Sequence, residues 1–393
     1  MSTTLFKNAR VITPTGIFPG EVLVREDIIA EVSLNRTLSC RADRVCNVRG
    51  EYLSPGFIDL HTHGAGGYDF MNGLDAIYGA CRSHMAHGTT AIMPTTITGS
   101  RQELLDYVEL FNRVEQKKTG CPTILGLHLE GPYFAANQAG AQNPAYLRNP
   151  EPEEYEAVLA KTDRIRRWSF AIELPGADRF LRRLREAGIV TSLAHSDATC
   201  DKVLRAYENG LSCLTHFYSC MATVRRVNAF RVAGAIEAGY LLDDLYVETI
   251  ADGCHLPAEL LQLIYKIKGP DRICLVTDSM SAAGMPDGPY TLGGLDVIKE
   301  DGVAKLADRS AFAGSVATTD RLIRTYRDLT DAPLYQVVKM ASLTPARLMG
   351  IDRHIGSVCA GKSADLVVFD ENIAVHQVMV RGELMESDAL LPR

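Results

Sequence analysis

Long apolar runs are missing from this sequence of 393 residues. No window approaches the roughly 18 consecutive apolar residues that a membrane helix needs. The opening residues, MSTTLFKNARVITPTG, lack the charged region and apolar stretch of a secretory signal. We therefore expect no membrane span and no membrane partner.

Paired cysteines and excess positive charge are also missing. The ten cysteines contain no CxxC pair and no disulfide-rich spacing, which predicts reduced thiols and a cytoplasmic protein. The formal net charge of −7 gives no electrostatic reason to expect nucleic acid as a partner. A hydrophobic content of 46% with 23% charged residues is instead typical of a globular enzyme with a large core.

Strand and helix patterns alternate through the middle of the chain. Short apolar runs broken by turns at both ends predict that residues 1–54 and 356–393 meet in one small β-domain. The middle predicts eight strands, each followed by a crossover: 57–61, 89–93, 123–129, 168–172, 189–194, 211–216, 245–250 and 272–277. That count predicts the α/β class, with a (β/α)₈ TIM-like barrel over residues 55–355.

Helix-end signals support this alternation. Ser100 and Glu103 have the spacing of a capping box, in which each side chain binds the backbone N–H of the other residue. Gly188 and Gly210 each follow an apolar helical pattern, at the position where a helix commonly ends.

Polar side chains follow five of the eight predicted strands. In such a barrel, chemistry lies at the carboxyl ends of the strands. Each side chain alone has a simpler explanation: a histidine is often a core or turn residue, and Asp278 could cap a helix. A single metal site explains all of them together, namely His61, His63, Glu130, His195, His216 and Asp278.

The residue types predict how the ions are held. Glu130, His195 and His216 supply three ligands and leave an open position, as in catalytic zinc sites. His61 and His63 could hold a second ion, with Glu130 between the two. Asp278 is then the acid/base that moves the proton of the attacking water. We expect zinc, with iron, manganese or cobalt as alternatives, because availability often decides among them.

Six segments occur in a characteristic order along the chain: PGFIDLHTHG, GLHLEGPYF, AHSDAT, IADGCH, LVTDSMSAAGMPDGPYTLGG and GKSADLVVFD. With these segments, nearly the whole chain resembles the N-acetylglucosamine-6-phosphate deacetylases of the amidohydrolase superfamily. The resemblance implies a barrel with a small β-sandwich built from both termini, and usually a homodimer. It also implies metal-dependent removal of acetate from an amino-sugar 6-phosphate. His255 would contact the substrate, although it could also be a loop histidine.

Several substrate positions depart from the family pattern. Gln142 stands where a substrate-contacting histidine is expected, and Ser219 and Cys220 stand where Asn and Ala present backbone amides to the phosphate. The arginine that grips the phosphate is missing from its usual motif. Arg225 or Arg226 could replace it, because a guanidinium fork suits phosphate, but both could equally be solvated surface charge.

The departures leave three readings open. The first is deacetylation of N-acetylglucosamine 6-phosphate, and a different N-acyl amino sugar, such as N-acetylgalactosamine 6-phosphate, is its nearest alternative. Another amidohydrolase acting on a small amide is the second; strand four offers Glu173 and lacks the bridging lysine of dihydroorotase-like enzymes. The third is an inactive sugar-phosphate sensor, against which the retained ligands and Asp278 argue. We expect His84, His87, His354 and His376 to be structural.

Overall fold

The computed structural model describes residues 2–390, so the last three residues of the predicted terminal segment 356–393 lie outside the described chain. The strands are β1 (Thr3–Thr13), β2 (Gly16–Arg25), β3 (Ile28–Leu34), β4 (Arg44–Asn47), β5 (Tyr52–Pro55), β6 (Phe57–Thr62), β7 (Gly64–Ala65), β8 (Tyr68–Asp69), β9 (Thr89–Pro94), β10 (Thr123–Ile124), β11 (Leu127–Glu130), β12 (Ile165–Phe170), β13 (Val190–Leu193), β14 (Cys213–Leu214), β15 (Arg225–Val227), β16 (Phe230–Val232), β17 (Tyr246–Thr249), β18 (Ile273–Leu275), β19 (Gly288–Leu292), β20 (Leu295–Glu300), β21 (Val303–Leu306), β22 (Leu366–Phe369), β23 (Val375–Val380) and β24 (Glu383–Glu386). The α-helices are α1 (Leu74–Ala86), α2 (Arg101–Phe111), α3 (Pro152–Lys161), α4 (Ala177–Glu186), α5 (Cys200–Glu208), α6 (Ala235–Leu241), α7 (Ala258–Lys268), α8 (Thr319–Leu329), α9 (Leu334–Met340) and α10 (Leu343–Leu348).

Both ends of the chain contribute to one sheet. Its strand order is β24-β23-β22-β5-β1-β2-β3, with β4 also paired to β1. Strand β22 runs antiparallel to β5, with Val367 opposite Ser54. Apolar side chains of both segments, among them Phe6, Leu53 and Leu366, pack together in one buried cluster. The two terminal segments are therefore joined by backbone pairing and by a shared core.

The eight predicted strands of the middle segment are all present, and the α/β class is confirmed. Strands β10, β9 and β6 form one parallel sheet, and β11, β12, β13, β14, β17 and β18 form another. A parallel bridge between Thr95 and His128 links the two sheets on one side. On the other side, the backbone N–H of Asp278 donates to the carbonyl of His61 over 2.8 Å. The strand ends that carry the polar side chains are thus brought to one place.

The third predicted strand is divided into β10 and β11 at Gly126. This glycine has a φ of +144°, and a Cβ atom there would lie 2.8 Å from the carbonyl oxygen of Arg164. A side chain would clash with the neighbouring backbone, so glycine is needed where the strand passes from one sheet to the other. The predicted continuous strand over 123–129 is wrong at this point.

The predicted helix ends are confirmed. Ser100 Oγ accepts from the backbone N–H of Glu103, and the Glu103 carboxylate accepts from the backbone N–H of Ser100, over 3.2 and 2.8 Å. Gly188 follows α4 with a φ of +69°, and Gly210 follows α5 with a φ of +109°. Among the described residues, no helix is long and apolar enough to cross a membrane.

Besides the short antiparallel pair β7–β8, two larger antiparallel insertions were not predicted. The hairpin β15–β16 turns through Asn228 and Ala229, both with positive φ, which is the geometry of a tight two-residue turn. The three-stranded sheet β19–β21 follows β18 and precedes α8. Both insertions leave from the carboxyl ends of parallel strands, so they lie on the same side of the molecule as the polar cluster.

Candidate active site

The six predicted metal and base residues lie together, each at or just after the carboxyl end of a parallel strand. His195, His216 and Asp278 have φ values of +45°, +31° and +45°, a region that residues with a Cβ atom rarely adopt. Each such residue costs about 1–3 kcal/mol and persists only where the surrounding structure imposes the conformation. The chain thus turns sharply at three strand ends and directs the side chains into the space between the strands.

Glu130 is the centre of this cluster. Its Oε1 atom lies 3.1 Å from Nε2 of His216, 3.4 Å from Nε2 of His61 and 3.6 Å from Nε2 of His195. Its Oε2 atom lies 3.4 Å from Nε2 of His63. One buried carboxylate therefore faces four imidazole nitrogens. Three of them lie near Oε1, and the fourth, that of His63, lies near Oε2.

Asp278 lies on the side of the two strand-one histidines. Its Oδ1 atom is 3.2 Å from Nε2 of His63 and 3.4 Å from Nε2 of His61. The side chains of all three residues are at least nine-tenths buried. Asp278 is therefore placed between the histidines and the cavity that it also lines.

The donor atoms fit divalent metal ions. Two sets have ligand atoms within 4.8 Å of one another: His61, His63 and Glu130, and Glu130, His195 and His216. Nε2 of His61 is buried and has no hydrogen-bond partner among the residues that the structure describes. A buried imidazole nitrogen without a partner is costly, and an ion would satisfy it. Nitrogen and carboxylate oxygen donors in sets of three suit zinc and its neighbours.

The carboxylates make this cluster attractive to positive charge. Burial opposes the charged imidazolium, but Asp278 and Glu130 outweigh it and raise the pKa of His63 to about 9. Burial also opposes the Glu130 carboxylate, yet His61 and the other imidazoles hold the pKa of Glu130 well below its usual range. Positive charge, carried by protons or by a metal ion, is therefore favoured between these side chains.

A second layer of side chains orients the histidines. Glu248 Oε2 lies 3.1 Å from Nδ1 of His61 and accepts from the backbone N–H of His216 over 3.1 Å. The other oxygen of Glu248 pairs with the buried guanidinium of Arg167. On the opposite side, Nδ1 of His195 lies 2.8 Å from the carbonyl oxygen of Gln138. These contacts at Nδ1 leave the Nε2 atoms of His61 and His195 facing Glu130.

Sequence reasoning missed Glu248 and Arg167. The signal that could have identified them is a charged residue within an apolar strand, in YVET of β17 and IRRWSF of β12.

His128, two positions before Glu130, has a hydrogen-bond partner at each of its ring nitrogens. Its two ring nitrogens lie 3.1 Å from Thr95 Oγ1 and 2.7 Å from Ser169 Oγ, and burial lowers its pKa.

A cavity of about 220 Å³ opens above the cluster. Four of the six predicted substrate residues line it: Gln142, Ser219, Cys220 and His255. Asp252 holds His255 through a contact of 2.8 Å between Oδ2 and Nδ1, and the Phe312 ring lies 4.7 Å from the imidazole. Phe312 and Leu292, from the β19–β21 insertion and its continuation, complete the wall and were not predicted.

The other two predicted substrate residues lie on the hairpin β15–β16. Arg225 pairs with Asp197 at 2.5 Å, and Arg226 is exposed. Glu173, from strand four, accepts from Ser196 Oγ over 2.6 Å and from the backbone N–H of Asp197. It therefore holds the loop after β13.

The four histidines expected to be structural make other contacts. His84 is buried, with its Nε2 atom 2.9 Å from Thr62 Oγ1. His87 pairs with Asp320 at 3.2 Å, and His376 pairs with Glu51 at 3.1 Å. The backbone N–H of His354 donates to the carbonyl of Ile351.

Comparison with known sequences gives one consistent result. A sequence model described as "Amidohydrolase family" matches residues 52–385. The N-acetylglucosamine-6-phosphate deacetylase of Lysinibacillus sphaericus is 33% identical over 346 residues, covering 85% of this chain and 86% of that protein. The N-acetylgalactosamine-6-phosphate deacetylase of Escherichia coli O157:H7 is 33% identical over 338 residues, covering 85% of this chain and 88% of that protein.

Solved structures agree with the sequence comparison. One is a mutant N-acetyl-D-glucosamine-6-phosphate deacetylase from Mycobacterium smegmatis in complex with N-acetyl-D-glucosamine-6-phosphate. It has a TM-score of 0.90 and 33% identity over 98% of this chain and 99% of that chain. The N-acetylglucosamine-6-phosphate deacetylase of Thermotoga maritima has a TM-score of 0.85 and 31% identity, covering 97% and 99%.

Proposed function

Because the chain belongs to the amidohydrolase family and, within it, to the N-acetylglucosamine-6-phosphate deacetylases, we propose that it hydrolyses the N-acetyl group of N-acetylglucosamine 6-phosphate. The products are acetate and glucosamine 6-phosphate. The observation that carries this proposal is the convergence of Glu130, four histidines and Asp278 below a cavity of about 220 Å³. That volume is smaller than a typical drug site and suits a small substrate.

We propose that Glu130, His195 and His216 hold one divalent ion and that His61 and His63 hold a second, with zinc as the metal. The chemistry that such an ion supplies is Lewis-acid polarisation of a carbonyl oxygen and a lowered pKa of water. The two ligand sets and the unpartnered Nε2 atom of His61 support this assignment.

Asp278 is proposed as the catalytic acid and base. Its carboxylate accepts the proton of the attacking water and then donates it to the nitrogen of the leaving amine, so the proton is conserved over the reaction. His63, 3.2 Å from Asp278 Oδ1, fixes the direction of that carboxylate. His255, held by Asp252, is placed on the cavity wall to bind the sugar.

The phosphate is proposed to bind near Ser219 and Cys220, with Arg225 or Arg226 as its guanidinium partner. Ser219 and Cys220 line the cavity, whereas Arg225 is engaged by Asp197. A phosphate at Arg225 would therefore have to compete with Asp197 for the guanidinium, in a pair that is partly buried. Arg226 is exposed and could bind a phosphate without breaking the pair between Arg225 and Asp197.

N-Acetylgalactosamine 6-phosphate is the second candidate substrate. The relative from Escherichia coli named for that sugar is as similar, at 33% identity, as the relative from Lysinibacillus sphaericus named for N-acetylglucosamine 6-phosphate. Of the changed positions, Ser219 and Cys220 line the cavity, where a different sugar epimer would be read.

The proposal extends to architecture and assembly. We propose that the two parallel sheets close into a (β/α)₈ barrel and that the terminal segments form a β-sandwich; the links at Thr95 and Asp278 support the closure. We propose a homodimer, which the hairpin β15–β16 supports because its paired apolar side chains Val227 and Phe230 are both exposed. A cytoplasmic location is proposed because all ten cysteines are free thiols.

The test is acetate release by the purified protein, with its metal content recorded. The substrates are N-acetylglucosamine 6-phosphate, N-acetylgalactosamine 6-phosphate and unphosphorylated N-acetylglucosamine. Asp278→Asn keeps the size of the side chain and should lower kcat by roughly 10²–10⁴-fold. Rapid turnover of either phosphate identifies the epimer. No acetate from any of the three, with metal bound, would contradict the proposed function.

A further inference from the structure

Gln142 uses both ends of its amide within the protein. Its Oε1 atom accepts from the backbone N–H of Thr98 over 3.0 Å, and its Nε2 atom donates to Oε2 of Glu130 over 2.8 Å. Within the Gln142 amide, only the oxygen can accept a hydrogen bond from an N–H group. The contact with Thr98 therefore requires the NH₂ group of Gln142 to face Glu130. Both residues are almost fully buried, with Gln142 at 3% and Glu130 at 2% exposure.

The two oxygens of Glu130 consequently have different surroundings. Oε1 faces the imidazoles of His216, His61 and His195 at 3.1, 3.4 and 3.6 Å. Oε2 receives the Gln142 amide over 2.8 Å and lies 3.4 Å from Nε2 of His63. Rotation about the last bond of a glutamate side chain is otherwise soft, because that torsion has broad minima. The hydrogen bond from Gln142 therefore fixes the plane of the carboxylate and keeps Oε1 directed at His195 and His216, the two proposed partners in holding the ion, as well as at His61.

The same loop orients a second ligand. Gln138, four residues before Gln142, places its backbone carbonyl 2.8 Å from Nδ1 of His195. The backbone N–H of Gln142 donates to the carbonyl of Ala139, which ties the two positions into one turn. This loop thus contacts two of the three residues, Glu130 and His195, that are proposed to hold the ion.

We infer that Gln142 is a positioning residue for the metal ligand Glu130, and not the substrate contact that the family pattern places at this position. The inference rests on the proposed function, in which Glu130 is a metal ligand. Hydrogen-bond partners of ligating carboxylates are typically worth about 10–100-fold in metal affinity. This chain has therefore exchanged a substrate-reading side chain for one that completes the metal centre.

The test compares zinc affinity and steady-state kinetics in Gln142→Met, a substitution of similar length that removes both hydrogen bonds. Apoprotein prepared with a chelator is titrated with zinc against a competing chelator, in the absence of any sugar. We expect zinc affinity to fall by about 10-fold or more. With zinc saturating, kcat should fall while KM for the sugar phosphate stays unchanged.

Gln102→Met is the matched control. Gln102 also donates its amide to a carboxylate over 2.8 Å, that of Asp106, but on the exposed surface of α2. This variant should retain the zinc affinity of the wild type. If Gln142→Met fails to fold, Gln142→Asn carries the same test, because its shorter side chain cannot span Thr98 and Glu130 together.

Unchanged zinc affinity in a folded Gln142 variant overturns the inference. If KM for the sugar phosphate is also raised in that variant, Gln142 contacts the substrate instead. Tighter zinc binding overturns it as well. The titration contains no sugar, so it remains decisive if the wild-type protein releases no acetate. Failure of the proposed substrate and failure of this inference are thereby separated.

Discussion

The Nε2 atoms of His195 and His216 face each other at 3.2 Å among buried side chains. Nδ1 of His195 is engaged by the Gln138 carbonyl, so in the neutral ring the proton lies there and Nε2 carries a lone pair. That lone pair faces Nε2 of His216, and a proton or a metal ion between the two nitrogens would join them. The arrangement is that of two ligands for one cation.

Removal of His216 should therefore remove the ion that it shares with His195 and Glu130. We expect His216→Asn to lose metal affinity by more than the roughly 10–100-fold that a neighbour of a ligand contributes. Metal content after dialysis, measured by elemental analysis, is the readout. His376→Asn, a surface histidine paired with Glu51, is the control and should keep the wild-type content. Equal metal content in the two variants would argue against this site.

Glu248 should be important for stability as well as for the metal centre. Glu248→Gln keeps the shape of the side chain but leaves Arg167 as a buried, unpaired cation, which should cost about 3–5 kcal/mol of unfolding free energy. Chemical denaturation measures this loss. Glu371→Gln removes a carboxylate from a surface pair with Arg10 and should cost less than about 1 kcal/mol. Similar losses in both variants would show that the buried pair has no special weight.

Alkylation of Cys220 should block the cavity. Its thiol lies on the cavity wall, and a Cβ atom on Gly140 would be only 2.6 Å from Sγ, so there is little room for an added group. We expect iodoacetamide to inactivate the wild type and saturating substrate to slow that inactivation. Cys220→Ala should resist inactivation by the reagent. Cys359→Ala removes an exposed thiol outside the cavity and should be inactivated like the wild type. Equal inactivation of Cys220→Ala and wild type would exclude this thiol as the target.

His84 should make the protein less stable in mild acid. Burial lowers the pKa of His84 from 6.5 to about 3. Below pH 6.5, His84 becomes protonated in the unfolded chain, whereas in the folded protein it becomes protonated only near pH 3. The free energy of unfolding therefore decreases as the pH falls through this window.

The measurement is chemical denaturation of wild type and His84→Gln at neutral and mildly acidic pH. One pH unit below the unfolded pKa, the wild type should have lost roughly 1 kcal/mol that the variant keeps. Glutamine can preserve the contact with Thr62 Oγ1, which separates titration from packing. Identical pH profiles for the two proteins would show that His84 does not titrate in this way.

The strand ends could be predicted from the sequence because they combine two local signals. An apolar run marks a buried strand, and a histidine or carboxylate directly after it marks the carboxyl end, as at His61 and Glu130. Parallel topology then requires those ends to meet, and the structure brings the six predicted side chains together. Their roles as ligands and base remain predictions for the experiments above.

The remaining features depend on partners that are distant in sequence. Glu248 and Arg167 look like isolated charges in apolar strands, and only the tertiary structure shows that they neutralise each other. Gln142 was predicted from a family pattern to face the substrate, whereas its hydrogen bonds depend on the positions of Thr98 and Glu130. The hairpin β15–β16 was missed because its residues, VRRVNAFRV, carry mixed charge and apolar signals without a glycine at the turn.

The pairing of β22 with β5 has a consequence for how the protein is made. Strand β5 leads through Gly56 directly into β6, which carries His61, yet its neighbour Leu366–Phe369 is synthesised after every strand that carries a residue of the cluster. The sheet that β5 belongs to cannot be completed until β22 has been made. Pairing between segments so far apart in sequence is intrinsically slow. A chain that stops before Leu366 would therefore carry His61 on the strand after β5 while β5 lacks its partner β22.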